Sequence, residues 1–451
     1  MVFSRKRYVF LFSVLRSICS VMHYKKHEKE EDNMKKIVTI LTVATLAAAV
    51  LTGCGSKQSA PAATEAVQTT AAAETKEETA AAPETQTEAV TEAAETEASA
   101  EPLFTITDIQ DREISFDKEP ETFVVANYIF NFLLVGGKES LGQVVGMTQD
   151  GWEDTRYGEY HALLDAYPEI ADIPSIGGYH DNVLDRERIL ELEPDVLLIN
   201  RSQYTDNETS IPVWEAAGIR VVVLDYHKML MANDILSTTI LGRLLHKEDT
   251  AAELCAACEK GYETVAERIA KIPEEEKNKK VYVELGNLGA GTIGNSYDGM
   301  LWGAIVDNIG AFNMAKDKLA EGYGPLDMEY ILETNPDIVI IGGSIWADDT
   351  ENDQMRMGLM VNESQAQERL KNFVNRDWWQ GLDAIKNGRI YAVDHGSLRN
   401  ALDYTFTEYL AKIVYPDHFE DLDPQAEYDS LLKKYLPEMT ADGTFMMEYK
   451  P

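Results

Sequence analysis

A pattern of fourteen residues occurs twice in this chain of 451 residues. Residues 187–200 read ERILELEPDVLLIN, and residues 329–342 read EYILETNPDIVIIG, with Glu, Ile-Leu, Pro-Asp and the following apolar run at the same spacing. Because proline cannot continue a helix, each copy predicts a helix that ends before the proline and is followed by a buried strand. The repeat therefore predicts two similar lobes rather than one large sheet.

The other apolar runs predict the fold class. Most are short, rich in β-branched residues and near-continuous rather than alternating, which is typical of strands covered on both faces. Helical patterns lie between them, so the sequence predicts an α/β fold of two Rossmann-like lobes with mainly parallel sheets. The predicted strands are 123–126, 144–147, 196–200, 221–225, 281–285, 338–342 and 390–393.

A long helical pattern separates the two halves. Residues 240–272 contain no proline and carry apolar residues three to four positions apart, which predicts a helix of about six to eight turns with a break near Lys247. One long helix makes a stiff connection, and a cleft between lobes is a preferred place for a small-molecule site. We therefore predict an N-terminal lobe at 103–239, a connecting helix at 240–273 and a C-terminal lobe at 274–451, with the ligand cleft between the lobes.

The N-terminal region predicts an export signal and a lipid anchor. From Met34, two lysines, an apolar run of 14 residues and small residues before Cys54 follow in order. The run is short for a membrane span, which needs about 20 residues, but has the length of a signal-peptide core. We predict a lipoprotein signal peptide at 34–53 and lipidation of Cys54; an ordinary secretory signal with an incidental cysteine is the alternative. Residues 1–33 do not fit this pattern and are interpreted as a doubtful extension, with an unusual leader as the alternative.

Composition predicts what lies between the anchor and the folded body. Residues 55–101 hold 15 Ala, 10 Glu and 9 Thr and no aromatic residue, so they cannot bury enough apolar surface to order themselves. We predict that 54–102, with the lipidated cysteine, is a disordered tether at the outer face of the cell membrane. The net charge of −36 argues against binding of nucleic acid and against docking on anionic lipid through a basic patch.

The body, from about residue 104 to 440, resembles the substrate-binding proteins of bacterial iron-complex and cobalamin ABC importers, of the type with a helical backbone. The resemblance implies two α/β lobes joined by one long helix. It also implies a monomer that is no enzyme and has no catalytic residue, resident metal or cofactor. Such a protein delivers an iron chelate (siderophore), haem or cobalamin to a permease and its ATPase. The stretches that carry the resemblance are ITDIQDREISFDKEPETFVVAN, IPSIGGYHDNVLDRERILELEPDVLLIN, ILGRLLHKEDTAAEL, GAFNMA and WWQGLDAIKNGRIYAVD.

In this family, one acidic residue on each lobe meets a basic pocket of the transporter. The positions that match are Glu187 and Glu329, each seven residues before the proline of the repeat. An exposed carboxylate at one end of each lobe can pair with arginine across a transient interface. The alternative is that each glutamate is a solvated helix residue.

We predict the ligand cleft where the carboxyl ends of the strands meet. Aromatic side chains could stack on a planar ligand, and arginine could pair with carboxylate or catecholate oxygens. No loop carries several arginines, so haem or a corrinoid held by Tyr, His and Trp stays open beside an anionic ferric siderophore. The candidate residues are Asn127, Tyr128, Tyr179, His180, Arg201, Tyr204, Tyr297, Trp302, Tyr323, Trp346, His395 and Arg399.

Two short motifs suggest other chemistry. Residues 289–294 read GAGTIG after a predicted strand, the context of a dinucleotide fingerprint, but the next strand of this half ends in Gly-Gly without the ribose-binding acid. We interpret this segment as a flexible loop of the cleft.

Cys255 and Cys258 form a CxxC in a helix. We interpret them as small buried residues, with a local disulfide as the alternative.

Three other functions stay open. A bare divalent metal ion could be bound by scattered histidines and carboxylates, although no paired-histidine motif supports this. A ligand-sensing surface lipoprotein without a transporter would have the same anchor and cleft. A surface hydrolase would need a nucleophile and a base in the cleft, and the sequence has no known catalytic motif. The histidines considered for a metal site are His161, His180, His227 and His395.

Overall fold

The computed structural model of the protein describes residues 101–348, 352–439 and 442–451. The predicted extension at 1–33, the signal peptide at 34–53, Cys54 and nearly all of the tether lie outside the described residues. Within the described part of the chain, no helix combines the length and the apolar character needed to cross a membrane.

The N-terminal lobe is built on a four-stranded sheet whose strands are all parallel. Its elements, in chain order, are β1 Phe104–Thr107, β2 Glu113–Phe116, β3 Phe123–Val125, α1 Ile129–Gly136, β4 Val144–Met147, α2 Trp152–Thr155, α3 Tyr157–Ala166, α4 Arg186–Leu192, β5 Val196–Asn200, α5 Arg201–Asp206, α6 Ile211–Ala216 and β6 Arg220–Leu224. The strand order is β4-β3-β5-β6, and β1 and β2 form a separate antiparallel hairpin.

Alternate residues of these strands enter two different hydrophobic clusters. Leu197 and Ile199 pack in one cluster, and Val196 and Leu198 pack in the other, because successive side chains of a strand point to opposite faces. All five residues of β5 are buried. Burial on both faces is the reason why the sequence of this strand is continuously apolar.

Two helices lead from the first sheet to the second, α7 at Met231–Leu244 and α8 at Glu248–Ile269. The chain breaks between them close to Lys247, where the backbone of His246 is left-handed with φ 54°. The long helix α8 therefore begins at Glu248 and has 22 residues. Gly261 of α8 lies against the ring of Tyr404, and a Cβ atom at this position would lie 2.1 Å from Cδ2 of that ring.

The C-terminal lobe is built on a five-stranded sheet. Its elements are α9 Glu274–Lys277, β7 Lys280–Leu285, β8 Asn295–Tyr297, α10 Leu301–Asn308, β9 Phe312–Asn313, β10 Tyr323–Pro325, α11 Met328–Thr334, β11 Ile338–Gly343, β12 Gly358–Leu359, α12 Glu363–Val374, α13 Asp383–Lys386, β13 Ile390–Asp394, α14 Tyr404–Val414, α15 Pro416–Phe419, α16 Pro424–Tyr435, β14 Gly443–Thr444 and β15 Met446–Glu448. The order is β15-β13-β11-β7-β9, with β15 antiparallel to β13 and the other strands parallel.

The repeated segment folds in the same way in both lobes. Helices α4 and α11 end before the proline, and strands β5 and β11 follow. The aspartate after each proline accepts a hydrogen bond from the backbone at the start of the neighbouring strand. Asp195 Oδ2 accepts from Thr122 N at 3.1 Å, and Asp337 Oδ2 accepts from Lys280 N at 2.8 Å. The α/β class and the two lobes with parallel sheets are confirmed.

Candidate functional site

A cavity of about 510 Å³, here called the interlobe cavity, is lined by residues of both lobes. The N-terminal lobe contributes the loop after β3 and the end of β4, and the C-terminal lobe contributes the loops after β11 and β13. The carboxyl ends of parallel strands from both lobes thus meet around one space, which is the usual place for a ligand in open α/β sheets.

Half of the predicted ligand residues line this cavity. Tyr128 has its hydroxyl 2.7 Å from Nδ1 of His227, which also lines the cavity. Tyr179 is stacked on Trp152, with ring centroids 5.0 Å apart. The predicted residues that line the cavity are Asn127, Tyr128, Tyr179, His180, Tyr323 and Arg399.

Three predicted residues form a row beside the cavity without lining it. The indole Nε1 of Trp302 donates a hydrogen bond to Nδ1 of His395 at 3.1 Å, and the ring of Tyr297 stacks on His395 at 5.9 Å. All three side chains are buried. They support the loop that carries Arg399, whose guanidinium donates to the carbonyl of His395 at 3.4 Å.

The other three predicted residues lie elsewhere. Arg201 begins helix α5, its Nε donates to the buried carboxylate of Asp225 at 2.8 Å, and it does not line the cavity. Tyr204 faces the guanidinium of Arg112, 4.7 Å from the ring centroid. Trp346 contributes its backbone carbonyl to the contact between the loop after β11 and the start of α3. For these three residues, a position in the chain after a strand did not predict whether the side chain lines the cavity.

Among the cavity residues that the sequence analysis did not predict, Arg156 has the most consequence for the ligand. Arg156 lies between α2 and α3, is 7% exposed, and lines the cavity with Arg399. Its Nη1 atom is buried without a hydrogen-bond partner among the described residues. In the sequence it stands in the polar stretch EDTRYGEY, which has the pattern of a solvated helix, so no local signal distinguishes it from a surface arginine.

Two guanidiniums, those of Arg156 and Arg399, and two carboxylates, those of Glu159 and Asp394, line the cavity. Within the described residues, no carboxylate lies within ion-pair distance of Arg156 or Arg399. Burial, and then the like charge of Arg156, lower the pKa of Arg399. The nearby carboxylate of Glu159 is occupied, because it accepts hydrogen bonds from the hydroxyl of Tyr179 at 2.5 Å and from Nε1 of Trp152 at 3.2 Å.

Two histidines of the cavity are uncharged at neutral pH. Burial, and then the charges of Arg156 and Arg399, lower the pKa of His180 to about 4. Burial and the same two arginines lower the pKa of His227 to about 3. The cavity therefore combines two cationic groups with two neutral imidazoles, and a neutral imidazole can coordinate a metal ion.

The four histidines considered for a bare metal ion are not brought together. His161 lies 3.0 Å from Glu153 near the surface, whereas His395 is buried beneath Trp302. Among the described residues, no group of three or more His, Cys, Asp or Glu side chains is placed to hold a metal ion.

The two cysteines Cys255 and Cys258 are free, so the alternative of a local disulfide is wrong.

The glycine-rich segment 289–294 is not part of the cavity lining. Arg376, buried to 1% exposure of its side chain, donates hydrogen bonds to the carbonyls of Gly289, Ala290 and Thr292. The same guanidinium forms a bidentate ion pair with the buried Glu284 at 2.7 and 2.8 Å. The expectation of a flexible cleft loop is therefore wrong, because a buried ion pair fixes the loop from beneath.

The two glutamates that the resemblance assigns to docking have equivalent positions. Each is the second residue of a short helix whose N-cap is an aspartate: Asp185 before Glu187 and Asp327 before Glu329. Both glutamates are exposed, and Glu187 pairs with Arg186 at 2.7 Å. The duplication thus presents one accessible carboxylate on each lobe.

Two lobes of parallel strands around a shared cavity have the architecture of a two-lobed binding protein. The profile of a family described as periplasmic binding protein matches residues 149–395, more than half of the chain, and the protein belongs to this family. The chain is similar to a TroA-like periplasmic binding protein, FepB, from Veillonella parvula. The two sequences are 31% identical, and the crystal structure of that protein matches with a TM-score of 0.70. The match covers 77% of this chain and 99% of that one.

One more distant solved structure shares the fold, and one further relative matches by sequence. The molybdate-bound protein MolA of Haemophilus influenzae is 17% identical with a TM-score of 0.55, over 77% of this chain and 99% of its own. An uncharacterised ABC transporter substrate-binding lipoprotein, YvrC of Bacillus subtilis strain 168, is 23% identical over 329 residues. That match covers 70% of this chain and 87% of the relative.

Proposed function

We propose that this protein, as the substrate-binding protein of an ABC importer, captures an anionic iron complex of the siderophore class in the interlobe cavity. It then delivers the complex to a permease and its ATPase. The observation that carries the proposal is a pair of arginines that face one cavity from opposite lobes: Arg156, which is buried, and Arg399, which is half-buried. Among the described residues, neither forms an ion pair with a carboxylate.

Two like charges, one buried and one half-buried, favour a ligand with several anionic oxygens. An isolated buried charge is unfavourable, so a bound anion that pairs with both guanidiniums stabilises the arrangement. Arginine binds carboxylate and catecholate oxygens through two parallel donors, and such charge-assisted hydrogen bonds are strong. The volume of about 510 Å³ falls within the range of about 300–1,000 Å³ for small-molecule sites. A bare cation would be repelled by the same two arginines.

Haem is the second candidate, because a specific feature favours it. The neutral imidazoles of His180 and His227 line the cavity with the two arginines. A haem could present its propionates to the guanidiniums and its iron to an imidazole or to a tyrosine such as Tyr179. Cobalamin is less well supported, since its corrin ring carries amide groups where the arginines favour carboxylates.

Delivery would use the two equivalent helix starts. An exposed carboxylate on each lobe can pair with arginine across a transient interface. A second support is that YvrC of Bacillus subtilis, which matches most of this chain, bears the name of an ABC transporter substrate-binding lipoprotein. We further propose that lipid on Cys54 holds the protein at the outer face of the cell membrane and that it acts as a monomer.

Tryptophan fluorescence tests the proposal directly, because Trp152 is stacked on the cavity residue Tyr179. The purified protein is titrated with ferric tris-catecholate, ferric hydroxamate, ferric citrate, haem, cobalamin, molybdate and nickel ions. We expect saturable binding of an anionic iron complex, and saturation by haem alone would select the second candidate. Response to nickel or cobalamin alone would contradict the proposal.

Matched arginine variants decide whether the two guanidiniums carry the binding. Arg156→Gln and Arg399→Gln should each weaken binding about 10- to 100-fold, as expected for the loss of a charged hydrogen-bond donor. Arg188→Gln is the control, since Arg188 is an exposed residue of α4 that pairs with Glu191. Equal affinity of all three variants and the unaltered protein would refute the assignment of the site.

A further inference from the structure

Arg399 has an unusual backbone for a residue that faces a ligand cavity. Its φ angle is 73°, in the left-handed region. A residue with a side chain rarely adopts this conformation, and it persists only where the surroundings fix it. Arg399 lies in the loop 395–403 that connects β13 to α14, so the structure must contain contacts that hold this loop.

Two buried side chains hold the backbone of this loop, and they come from different lobes. Asn131 of helix α1 donates from Nδ2 to the carbonyl of Arg399 at 2.9 Å and accepts at Oδ1 from the amide of Ala401 at 2.9 Å. Asp403 accepts at Oδ2 from the amide of Arg399 at 3.2 Å. Both backbone polar groups of Arg399 are thus bonded to side chains, one of which belongs to the N-terminal lobe.

The geometry of Asn131 suits this task. The residue is 1% exposed, so its carboxamide is shielded from water and must be satisfied within the protein. Its amide donor faces a carbonyl and its oxygen faces an N–H group, and the reverse orientation would place like groups together at both contacts. Aspartate or leucine at this position could not make both bonds.

We propose that Asn131 is a positioning residue that fixes Arg399 in the cavity from the opposite lobe. The inference rests on the proposed function, in which Arg399 binds the anionic ligand. Since Arg156 comes from the N-terminal lobe and Arg399 from the C-terminal lobe, the bridge through Asn131 sets the separation of the two guanidiniums. Without it, the backbone of Arg399 relaxes out of the left-handed region and the side chain loses its fixed position.

The test measures the affinity of the purified protein for ferric tris-catecholate, ferric citrate and haem. The four variants are Asn131→Leu, Asn308→Leu, Arg399→Gln and the double variant Asn131→Leu with Arg399→Gln. Asn131→Leu, of similar volume, removes both hydrogen bonds. Asn308→Leu is a control for loss of another hydrogen bond between the two halves of the chain, because the exposed Asn308 donates to the carbonyl of Met229 at 3.2 Å. We expect about tenfold or greater weakening for Asn131→Leu and less than about threefold for the control.

A double-variant comparison separates positioning of Arg399 from general support of the lobes. If Asn131 acts through Arg399, then Asn131→Leu has little further effect once Arg399→Gln is present. The dependence of affinity on salt concentration should also decrease by the same amount in Asn131→Leu and in Arg399→Gln, because both variants lose the same charged contact with the ligand. Equal weakening by Asn131→Leu in the presence and absence of Arg399 would overturn the inference.

Hydrogen exchange provides a readout that needs no ligand. The amide of Ala401 should exchange faster in Asn131→Leu, while the amides of strand β13 keep their protection. Unchanged exchange at Ala401 would overturn the inference. If Asn131→Leu does not fold, Asn131→Asp replaces it, since it keeps the acceptor for Ala401 and loses the donor to Arg399. In that variant the affinity should fall as in Asn131→Leu while the amide of Ala401 keeps its protection, and unchanged affinity would overturn the inference.

The outcomes distinguish the inference from the proposed function. If Arg399→Gln binds as well as the unaltered protein, the proposed function fails. If Arg399→Gln weakens binding but Asn131→Leu does not, the inference fails and the proposed function stands. If the unaltered protein binds none of the three probes, both are overturned.

Discussion

The buried ion pair between Arg376 and Glu284 provides the strongest stability prediction. The side chains are 1% and 0% exposed, and the guanidinium also donates to three backbone carbonyls of the 289–294 loop. Glu284 has two further donors, the hydroxyl of Tyr282 at 2.7 Å and the amide of Gly294 at 3.1 Å. The substitution Arg376→Met keeps much of the volume and removes every one of the guanidinium contacts.

The expected loss follows from what remains behind. Removing one partner of a buried ion pair costs about 3–5 kcal/mol, because the other charge is left without compensation. Three carbonyls that lose a donor add about 1 kcal/mol each, for about 6–8 kcal/mol in total. This is a large fraction of the stability of a typical domain, about 5–15 kcal/mol. We therefore expect the C-terminal lobe of Arg376→Met to be mostly unfolded in mild urea.

Urea unfolding followed by circular dichroism measures this loss. The control is Arg188→Met, which removes an exposed pair with Glu191 and should change stability by less than about 1 kcal/mol. The double variant Glu284→Gln with Arg376→Met should recover at least half of the loss, because no buried charge is left alone. A loss below about 2 kcal/mol, or a double variant no more stable than Arg376→Met, would refute this reasoning.

Three further predictions test the cavity, the buried carboxylates and the docking surface. In Gly158→Val, the Cβ atom would lie 2.8 Å from Cβ of Ile345 on the other lobe, so we expect weaker binding in a fluorescence titration; unchanged affinity would contradict it. Burial, and then the carboxylates of Asp403 and Asp225, raise the pKa of Asp234 well above 3.8, so its neutral form stabilises the fold at low pH. That stability is lost as pH rises, because the unfolded state releases its proton first, at about 1.4 kcal/mol per pH unit. Asp234→Asn should therefore have a higher Tm than the unaltered protein at about pH 8, with the difference shrinking toward about pH 4; a constant difference would contradict this. Glu187→Lys and Glu329→Lys should reduce uptake of the labelled iron complex by cells while the affinity of the purified variants stays unchanged, and normal uptake would argue against docking through these residues.

The fold was accessible from the sequence because its signals are local. The Pro-Asp pair marks the end of a helix and the start of a buried strand in each lobe, and the aspartate makes the same backbone contact twice. Strands covered on both faces are continuously apolar, so β5 and β11 could be recognised without knowledge of their neighbours. The break near Lys247 was also readable, whereas the start of the long helix at Glu248 depends on a left-handed residue that has no clear sequence pattern.

The residues that line the cavity were harder to predict from the sequence, because they depend on how the helices pack against one another. Residues directly after strands, such as Tyr128, reach the cavity because the sheet topology puts them there. Arg201 also follows a strand, but the buried carboxylate of Asp225 attracts its guanidinium, and this contact spans 24 positions of the chain. Asn131 lies in helix α1 and Arg156 in the turn between α2 and α3, and the contacts that give Asn131 its role join it to residues about 270 positions away.

The glycine at position 261 constrains how the receptor can signal that it is loaded. Because helix α8 lies directly on the ring of Tyr404, rolling the helix would drive its backbone into that ring. We therefore expect loaded and empty forms to have nearly the same outline. Under the proposed function, a permease that meets two such similar shapes would accept both, so empty receptors would compete with loaded ones for the same docking position. Import would then depend on the fraction of receptors that carry a ligand, and producing more receptor without more ligand would slow uptake.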